Sequence, residues 1–312
     1  MDKLVSVIMP AYNAALHIAE SIESVRAQIY PHWELIIVDD GSTDNTSIIV
    51  KQYSILDQRI RYLYQENARQ GKARNNGIAH AKGTYVAFLD SDDLWLEEKL
   101  AIQIQDLESA NADLVFCDAY LFSEKFDRKV PYSRMHTQSR IYQGEEGLSI
   151  FLENNRVPIL TVVCRVDAIK RVGGFIETRS IQNAEDYHLW LLMLINGLLL
   201  RGFNYTLAAY RQHNASVSDA DGMNLRQVIE AKVDLATRSH EKRRLIEDSI
   251  RYTVRQSLGQ LPALPTTEAF ETLERYIQVV QKEQYQPLFV GLRILGNVRL
   301  AVRVAYFVIN YL

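Results

Sequence analysis

The feature that most restricts how this chain can fold is a repeat of pattern in its first 120 residues, where short apolar, β-rich runs alternate with stretches of helical period. The runs are Leu4 to Met9, Glu34 to Val38, Ile60 to Tyr64, Tyr85 to Leu89 and Leu114 to Cys117. Between them, His17 to Ile29 has apolar residues at 18, 22, 25 and 29, and Trp95 to Ala110 has them at 96, 100, 104 and 107. Each helical stretch follows a strand and can cover it. The pattern predicts an α/β domain with a largely parallel sheet flanked by helices.

From Gly144 onward the period is mostly helical, with β-like breaks at Leu160 to Cys164 and Leu207 to Tyr210. Phe122 to Gly144 is polar and weakly periodic, which predicts a long loop of the kind that lines sites. Asp221 to Gln256 and Thr266 to Gln284 read as long helices separated by a breaker run from Gly259 to Pro265. The expected division is a catalytic domain over 1–220 and a helical region over 221–312.

Composition removes several classes. A chain that is 47% hydrophobic and 23% charged is not mainly disordered, and 35 basic against 38 acidic residues leaves no electrostatic footprint for nucleic acid. Two cysteines, Cys117 and Cys164, are too far apart for a zinc-type spacing and too few for a disulfide scaffold, which fits a reducing compartment. Met1 to Pro10 is too short an apolar stretch for a signal peptide, so a cytoplasmic location is expected. Residues 241–312 carry ten basic and seven acidic side chains, against 25 and 31 before them. The tail is the basic part.

In an open parallel sheet, ligands gather at the carboxyl ends of the strands. After Leu35-Ile36-Ile37-Val38 comes Asp39-Asp40-Gly41-Ser42-Thr43-Asp44, where glycine permits a tight turn and Ser, Thr or Asp can cap a helix. Paired carboxylates have no such structural need, and they can accept hydrogen bonds from a base or ribose. After Tyr85 to Leu89 comes Asp90-Ser91-Asp92-Asp93. Residues two apart on an extended chain face one way, so Asp90 and Asp92 are expected to point together. Such oxygen ligands suit Mg²⁺ or Mn²⁺, which typically also bind substrate phosphates, and a diphosphate substrate follows. An acidic turn capping the next helix is the plainer alternative. There is no GxGxxG, and Gln70-Gly71-Lys72-Ala73 lacks the upstream glycine and the Ser/Thr of a P-loop.

Together these segments resemble the ordered motifs of family 2 glycosyltransferases. The resemblance is carried by Val5-Ser6-Val7-Ile8-Met9-Pro10-Ala11-Tyr12-Asn13, Val38 to Asp44, Asn67 with Gly71 and Ala73-Arg74-Asn75-Asn76-Gly77, and Phe88 to Asp93. It continues through Gly173-Gly174-Phe175, Glu185-Asp186-Tyr187-His188-Leu189-Trp190 and Tyr210-Arg211-Gln212-His213 to Ser216 and Ser218. The resemblance implies a Rossmann-like, glycosyltransferase A-type fold and inverting transfer from a nucleotide-diphosphate sugar. It implies contacts to that donor from Pro10, Tyr12, Asp40, Arg74, Asp90 and Arg211, and a metal at Asp92. It offers Asp186 as the catalytic base, with Glu185 as an orienting or acceptor-binding residue.

Other readings of these residues stay open. Asn183, Glu185 and Asp186 are also ordinary for a helix cap and first turn. His188 and Trp190 either line the acceptor site or belong to the core, and His213 is a candidate metal or phosphate contact. Gly173-Gly174-Phe175-Ile176-Glu177 lacks the aspartate that many relatives carry at the fourth position, and no tryptophan completes the QxxRW motif of processive synthases, since Trp33, Trp95 and Trp190 follow His32, Leu94 and Leu189. One sugar per encounter is therefore expected. The acceptor expected from the resemblance is a glycan or lipid-linked saccharide of surface polysaccharide or glycolipid biosynthesis. A sugar nucleotidyltransferase and a non-catalytic scaffold of carbohydrate machinery are the other two classes; the first would need a triphosphate-binding loop, and none is evident.

The last segment, Leu288 to Leu312, has three arginines and no acidic residue in an otherwise apolar stretch. On a helical wheel Arg299, Arg303 and Asn310 cluster, with Arg293 and Asn297 flanking them. Arginines within the segment make spanning a bilayer costly. The pattern predicts an interfacial helix at an anionic membrane surface, or a terminal helix packed in the core or in a homo-oligomer.

Overall fold

The computed structural model describes residues 3–212, 223–258, 274 and 298–311. Two compact units are formed, Met1–Ser216 and Val217–Leu312.

The first unit begins as the alternation demands: β1 (Val5–Ala11), α1 (Ile18–Arg26), β2 (Trp33–Asp39), α2 (Thr46–Leu56), β3 (Ile60–Tyr64), α3 (Arg69–His80) and β4 (Tyr85–Phe88). These four strands are parallel in the order β3-β2-β1-β4. The chain adds strands on one side of β1, then crosses to place β4 on the other. That reversal opens a crevice beyond the carboxyl ends of β1 and β4, where residues following the strands can meet a ligand. The Val, Ile and Leu runs of β1 and β2 are buried along nearly their whole length, each such side chain contributing about 1.5–3 kcal/mol.

The unit continues through β5 (Leu94–Trp95), α4 (Lys99–Ser109), β6 (Leu114–Phe122), β7 (Ser133–Arg134), β8 (Arg140–Tyr142), α5 (Gly144–Glu153), β9 (Val162–Arg165), α6 (Val166–Val172), α7 (Glu185–Ile195) and β10 (Leu200–Arg211). The whole sheet runs β3-β2-β1-β4-β9-β6-β10-β5, with β7 on β6 and β8 on β10. This second half is mixed, because β9 lies antiparallel to both β4 and β6.

Several expectations are amended. The helix expected from Trp95 begins at Lys99, because Leu94 and Trp95 pair with Ala209 and Ala208 of β10. The expected loop over 122–144 contains two short strands, β7 and β8. Leu207 to Tyr210 is the end of a twelve-residue strand. Helix α3 was hidden by its glycines. Gly77 is needed because a Cβ there would lie 2.5 Å from Ile8 Cγ2, so the helix sits directly on β1.

In the second unit, Asp221 to Gln256 is not one helix but two, α8 (Met223–Arg238) and α9 (Arg243–Leu258). Ser239 breaks it: its hydroxyl accepts the Lys242 backbone N–H at 3.3 Å, satisfying a donor at the start of the next helix. A final helix, α10 (Val298–Tyr311), packs on α9, with Ala301 and Ala305 fully buried and Arg299 and Arg303 exposed. The helix expected over Thr266 to Gln284 and the segment 288–297 lie outside the described residues. No described helix is long and apolar enough to cross a membrane.

Candidate functional site

The site is built at the carboxyl ends of β1, β2 and β4. Near the end of β1 Pro10 is half-buried, and just after the strand Tyr12 is exposed. The loops that follow β1 and β2 are stapled together: Ser42 Oγ accepts the Asn13 N–H at 3.0 Å, and Asn13 Oδ1 accepts the Thr43 N–H at 2.8 Å. Asp40 lies beneath them, buried. One carboxylate oxygen accepts from Gln65 Nε2 at 2.7 Å and the Ala68 N–H at 2.8 Å, and the other from the Arg69 N–H at 2.8 Å. The side chain expected to hold a base is thus committed to fixing residues 65–69 and the start of α3.

Beyond β4 the backbone turns. Asp90 and Asp92 do not sit on an extended segment, because the Asp93 N–H bonds back to the Asp90 carbonyl at 3.2 Å. The alternation argument therefore does not apply, and a turn brings Asp90, Asp92 and Asp93 into one acidic cluster. Asp93 is the residue the sequence reading passed over. It is 1% exposed, its Oδ1 accepts the Arg211 N–H at 2.8 Å, and its Oδ2 has no hydrogen-bond partner among the described residues. Burial, together with Asp92 and Asp90, pushes its pKa well above the usual carboxylate range.

Such a cluster is what a divalent cation would relieve. Among the described residues no three His, Cys, Asp or Glu side chains are placed to hold a metal ion by themselves, yet Mg²⁺ or Mn²⁺ needs only one or two protein carboxylates when substrate phosphates and water complete the shell. The excess of carboxylate over cation in this turn fits that demand. His213 lies outside the described residues.

Arg211 is placed differently from the donor contact expected of it. Its guanidinium is buried behind the turn, where Nε donates to the Asp92 carbonyl at 2.8 Å, Nη1 to the Glu124 carbonyl at 2.5 Å and Nη2 to Glu20 Oε2 at 2.5 Å. It also lies 4.5 Å from the Phe122 ring centre. With three neighbouring segments held by one rigid fork, Arg211 sets the shape of the acidic turn from inside the protein.

Arg74 is likewise interior. On α3 it reaches Glu185 Oε1 at 2.5 Å through Nη1 and Asp90 Oδ1 at 2.8 Å through Nη2, over the Phe175 ring. Burial disfavours its charge, but Asp90 and Glu185 outweigh that and raise its pKa. Gly71 permits this closeness, since a Cβ there would meet the Ile176 carbonyl at 2.8 Å and Glu185 Cγ at 3.3 Å. Asn75, one residue on, grips the glycine loop: its Nδ2 donates to the Phe175 carbonyl at 2.8 Å and its Oδ1 accepts the Phe175 N–H at 2.9 Å.

Glu185 and Asp186 open α7. Among the described residues the helix has no side-chain cap, but both carboxylates stand in its first turn, so that part of the plainer alternative describes where they sit. Glu185 is 1% exposed, its Oε2 has no hydrogen-bond partner among the described residues, and burial lifts its pKa to about 7 despite Arg74. Asp186 accepts the Tyr187 N–H at 2.6 Å and Asn155 Nδ2 at 3.2 Å, and burial raises its pKa as well. His188 and Trp190 are buried, and Trp190 packs edge-on to Phe175 at 6.4 Å. Trp190 thus takes the core alternative, and His188 lies in the interior with it. Asn155 carried no motif signal at all. Its contact with Asp186 exists only because α5 ends where α7 begins in space.

The chain is similar to proteins of one family. The sequence profile of "Glycosyl transferase family 2" matches residues 6–173. TuaG of Bacillus subtilis (strain 168), named for teichuronic acid biosynthesis, is 37% identical over 217 residues, covering 69% of this chain and 81% of TuaG. WfgD of Escherichia coli, named a UDP-Glc:alpha-D-GlcNAc-diphosphoundecaprenol beta-1,3-glucosyltransferase, is 33% identical over 226 residues, covering 70% of this chain and 80% of WfgD. Among solved structures, residues 1–349 of S. aureus TarS in complex with UDP-GlcNAc superpose with a TM-score of 0.70 at 19% identity, over 97% of this chain and 90% of that one. The chain spans 55% of the longer TarS structure. The glycosyltransferase A-type fold is shared with TarS, and with the family profile covering over half its length, this chain belongs to the family 2 glycosyltransferases.

Proposed function

We propose that this protein transfers one sugar per encounter, with inversion, from a nucleotide-diphosphate sugar to a hydroxyl of a glycan or lipid-linked acceptor in surface polysaccharide biosynthesis. The observation that carries the reading is the meeting, through Arg74, of the acidic turn after β4 with the Glu185-Asp186 start of α7. One side chain bridges the two halves such a reaction needs. The acceptor oxygen attacks the anomeric carbon as Asp186 takes its proton, and the bond to the diphosphate breaks to release the nucleoside diphosphate. Asp92 and Asp90 would hold a Mg²⁺ or Mn²⁺, which would neutralise the charge of the departing diphosphate. The solved relatives include a Pyrobaculum calidifontis mannosyltransferase in complex with GDP-Man and Mn²⁺, and WfgD supports a lipid-diphosphate acceptor by its name.

The test is a screen of UDP-glucose, UDP-GlcNAc and GDP-mannose with Mn²⁺. Binding of the responsive donor weakens on chelation, and Asp92→Asn removes most of that dependence while the melting temperature holds. Calorimetry giving equal affinity with and without chelator rejects a metal-bridged donor. Release of pyrophosphate instead of nucleoside diphosphate indicates nucleotidyl transfer.

The membrane reading of the tail rests on Arg299 and Arg303, exposed on α10, while Ala301 and Ala305 serve packing on α9. Reversing both charges, Arg299→Glu with Arg303→Glu, lowers co-sedimentation with vesicles rich in phosphatidylglycerol and leaves donor binding intact. Unchanged sedimentation assigns the tail to protein packing alone.

A further inference from the structure

Residues 154–161 form a strap between α5 and β9, and it is fastened at two places. At its far end the Leu160 carbonyl accepts Trp95 Nε1 at 2.7 Å and the Thr161 carbonyl accepts Gln103 Nε2 at 2.7 Å. Trp95 stands two residues beyond Asp93, so this fastening leads back to the acidic turn. At its near end Asn155 reaches Asp186.

The amide of Asn155 has only one orientation available. Its Oδ1 lies 3.2 Å from the Val157 backbone nitrogen, and a backbone N–H can only donate. The oxygen must therefore face Val157, which leaves the NH₂ group facing Asp186 Oδ2 at 3.2 Å. An amide NH₂ in turn can only donate, so it favours a carboxylate that accepts. The other oxygen of Asp186 already receives the Tyr187 N–H. Around this carboxyl stand Arg74 from α3, Asp90 from the turn and Glu185 from its own helix. Burial and Asp90 favour its protonated form, whereas Arg74, the Tyr187 N–H and Asn155 oppose them.

We propose that Asn155 is a positioning residue for Asp186, fixing the carboxylate's orientation and holding it ready to accept the acceptor's proton, and that the strap ties this carboxylate to the turn bearing Asp90, Asp92 and Asp93. The catalytic meaning of this rests on Asp186 being the base. The hydrogen bond itself does not.

The test uses the full chain labelled with ¹³C at aspartate carboxyls, the Asp186 signal being the one missing from Asp186→Asn. In Asn155→Ala the midpoint of its titration rises by about one pH unit, and in Asn155→Asp, where a second negative charge is added, it rises further. With the donor found in the screen, the acid limb of turnover moves to higher pH by the same amount while the donor KM is unchanged. Because Asn155 is exposed, both variants fold, and Asn155→Ala melts only a few degrees below the wild type above the Asp186 midpoint, the cost that a one-unit rise in a folded-state pKa carries. An unmoved midpoint in both variants overturns the role of Asn155, whatever happens to turnover. Wild-type transfer by Asp186→Asn overturns the base reading instead, and with it the catalytic part of this proposal.

Discussion

Asp186→Asn loses transfer by about 10²- to 10⁴-fold, the range a positioned general base supplies, and still binds donor. The amide keeps the size of the carboxyl and can still accept through its oxygen, so packing at the start of α7 persists while proton acceptance is lost. Donor affinity by calorimetry and single-turnover transfer separate the two. Burial raises the Asp186 pKa, and a base must be deprotonated to act. Wild-type activity accordingly declines, as pH falls, at a higher pH than an ordinary aspartate would give. Near wild-type turnover with the fold intact eliminates Asp186. Glu185 is the next candidate, though its ion pair with Arg74 and near-complete burial hold it back from an acceptor.

Arg74→Met has the largest expected effect on stability. It leaves Glu185, 1% exposed, without its cation, and breaking a buried pair by removing one partner costs about 3–5 kcal/mol. For a unit of this size that lowers the melting temperature by on the order of 10 °C. Glu185 in the wild type has a folded pKa of about 7, above its usual value. A raised carboxyl favours folding in its protonated form, so stability is present at low pH and is lost as pH rises toward that value. Without Arg74 the folded pKa climbs further, so the deficit relative to wild type widens above pH 7 and narrows in acid. Replacing both partners, Arg74→Met with Glu185→Met, recovers most of the loss, since no uncompensated charge remains. A single variant melting with the wild type at pH 8 contradicts the buried-pair account. Arg74→Lys is not equivalent, because an ammonium cannot present two parallel donors to Glu185 and Asp90.

The same side chains show where reading the sequence was blind. The family resemblance places Arg74 and Arg211 at the donor, and a guanidinium suits phosphate by geometry. In the fold both are interior, and their donors point at Glu185, Asp90, Glu20 and the carbonyls of Asp92 and Glu124. A guanidinium matches a protein carboxylate by the same geometry that matches a phosphate. Residue type therefore cannot choose between them; only the position of the guanidinium in the fold shows which partners it has. Asp40 is a similar case, its carboxylate taken up by backbone N–H groups of Ala68 and Arg69. Asp93, whose Oδ2 has no partner among the described residues, is not singled out by two-residue alternation, which picks Asp90 and Asp92 and holds only if the chain is extended there.

By itself the sequence determined the α/β class, the strands after which the acidic residues fall, and the family. Those follow from local periodicity and from short motifs whose residues are close in the chain. It could not determine that β9 enters the sheet antiparallel, that Asp221 to Gln256 is broken at Ser239, or that the glycines of α3 mark a helix pressed against β1. Nor could it pair Arg74 with Glu185, 111 residues away, or bring Asn155 to Asp186 across a separation of 31. Contacts of that range depend on which elements the sheet order makes neighbours, and that order was decided by burying the apolar faces of the whole unit at once, a condition no single segment carries.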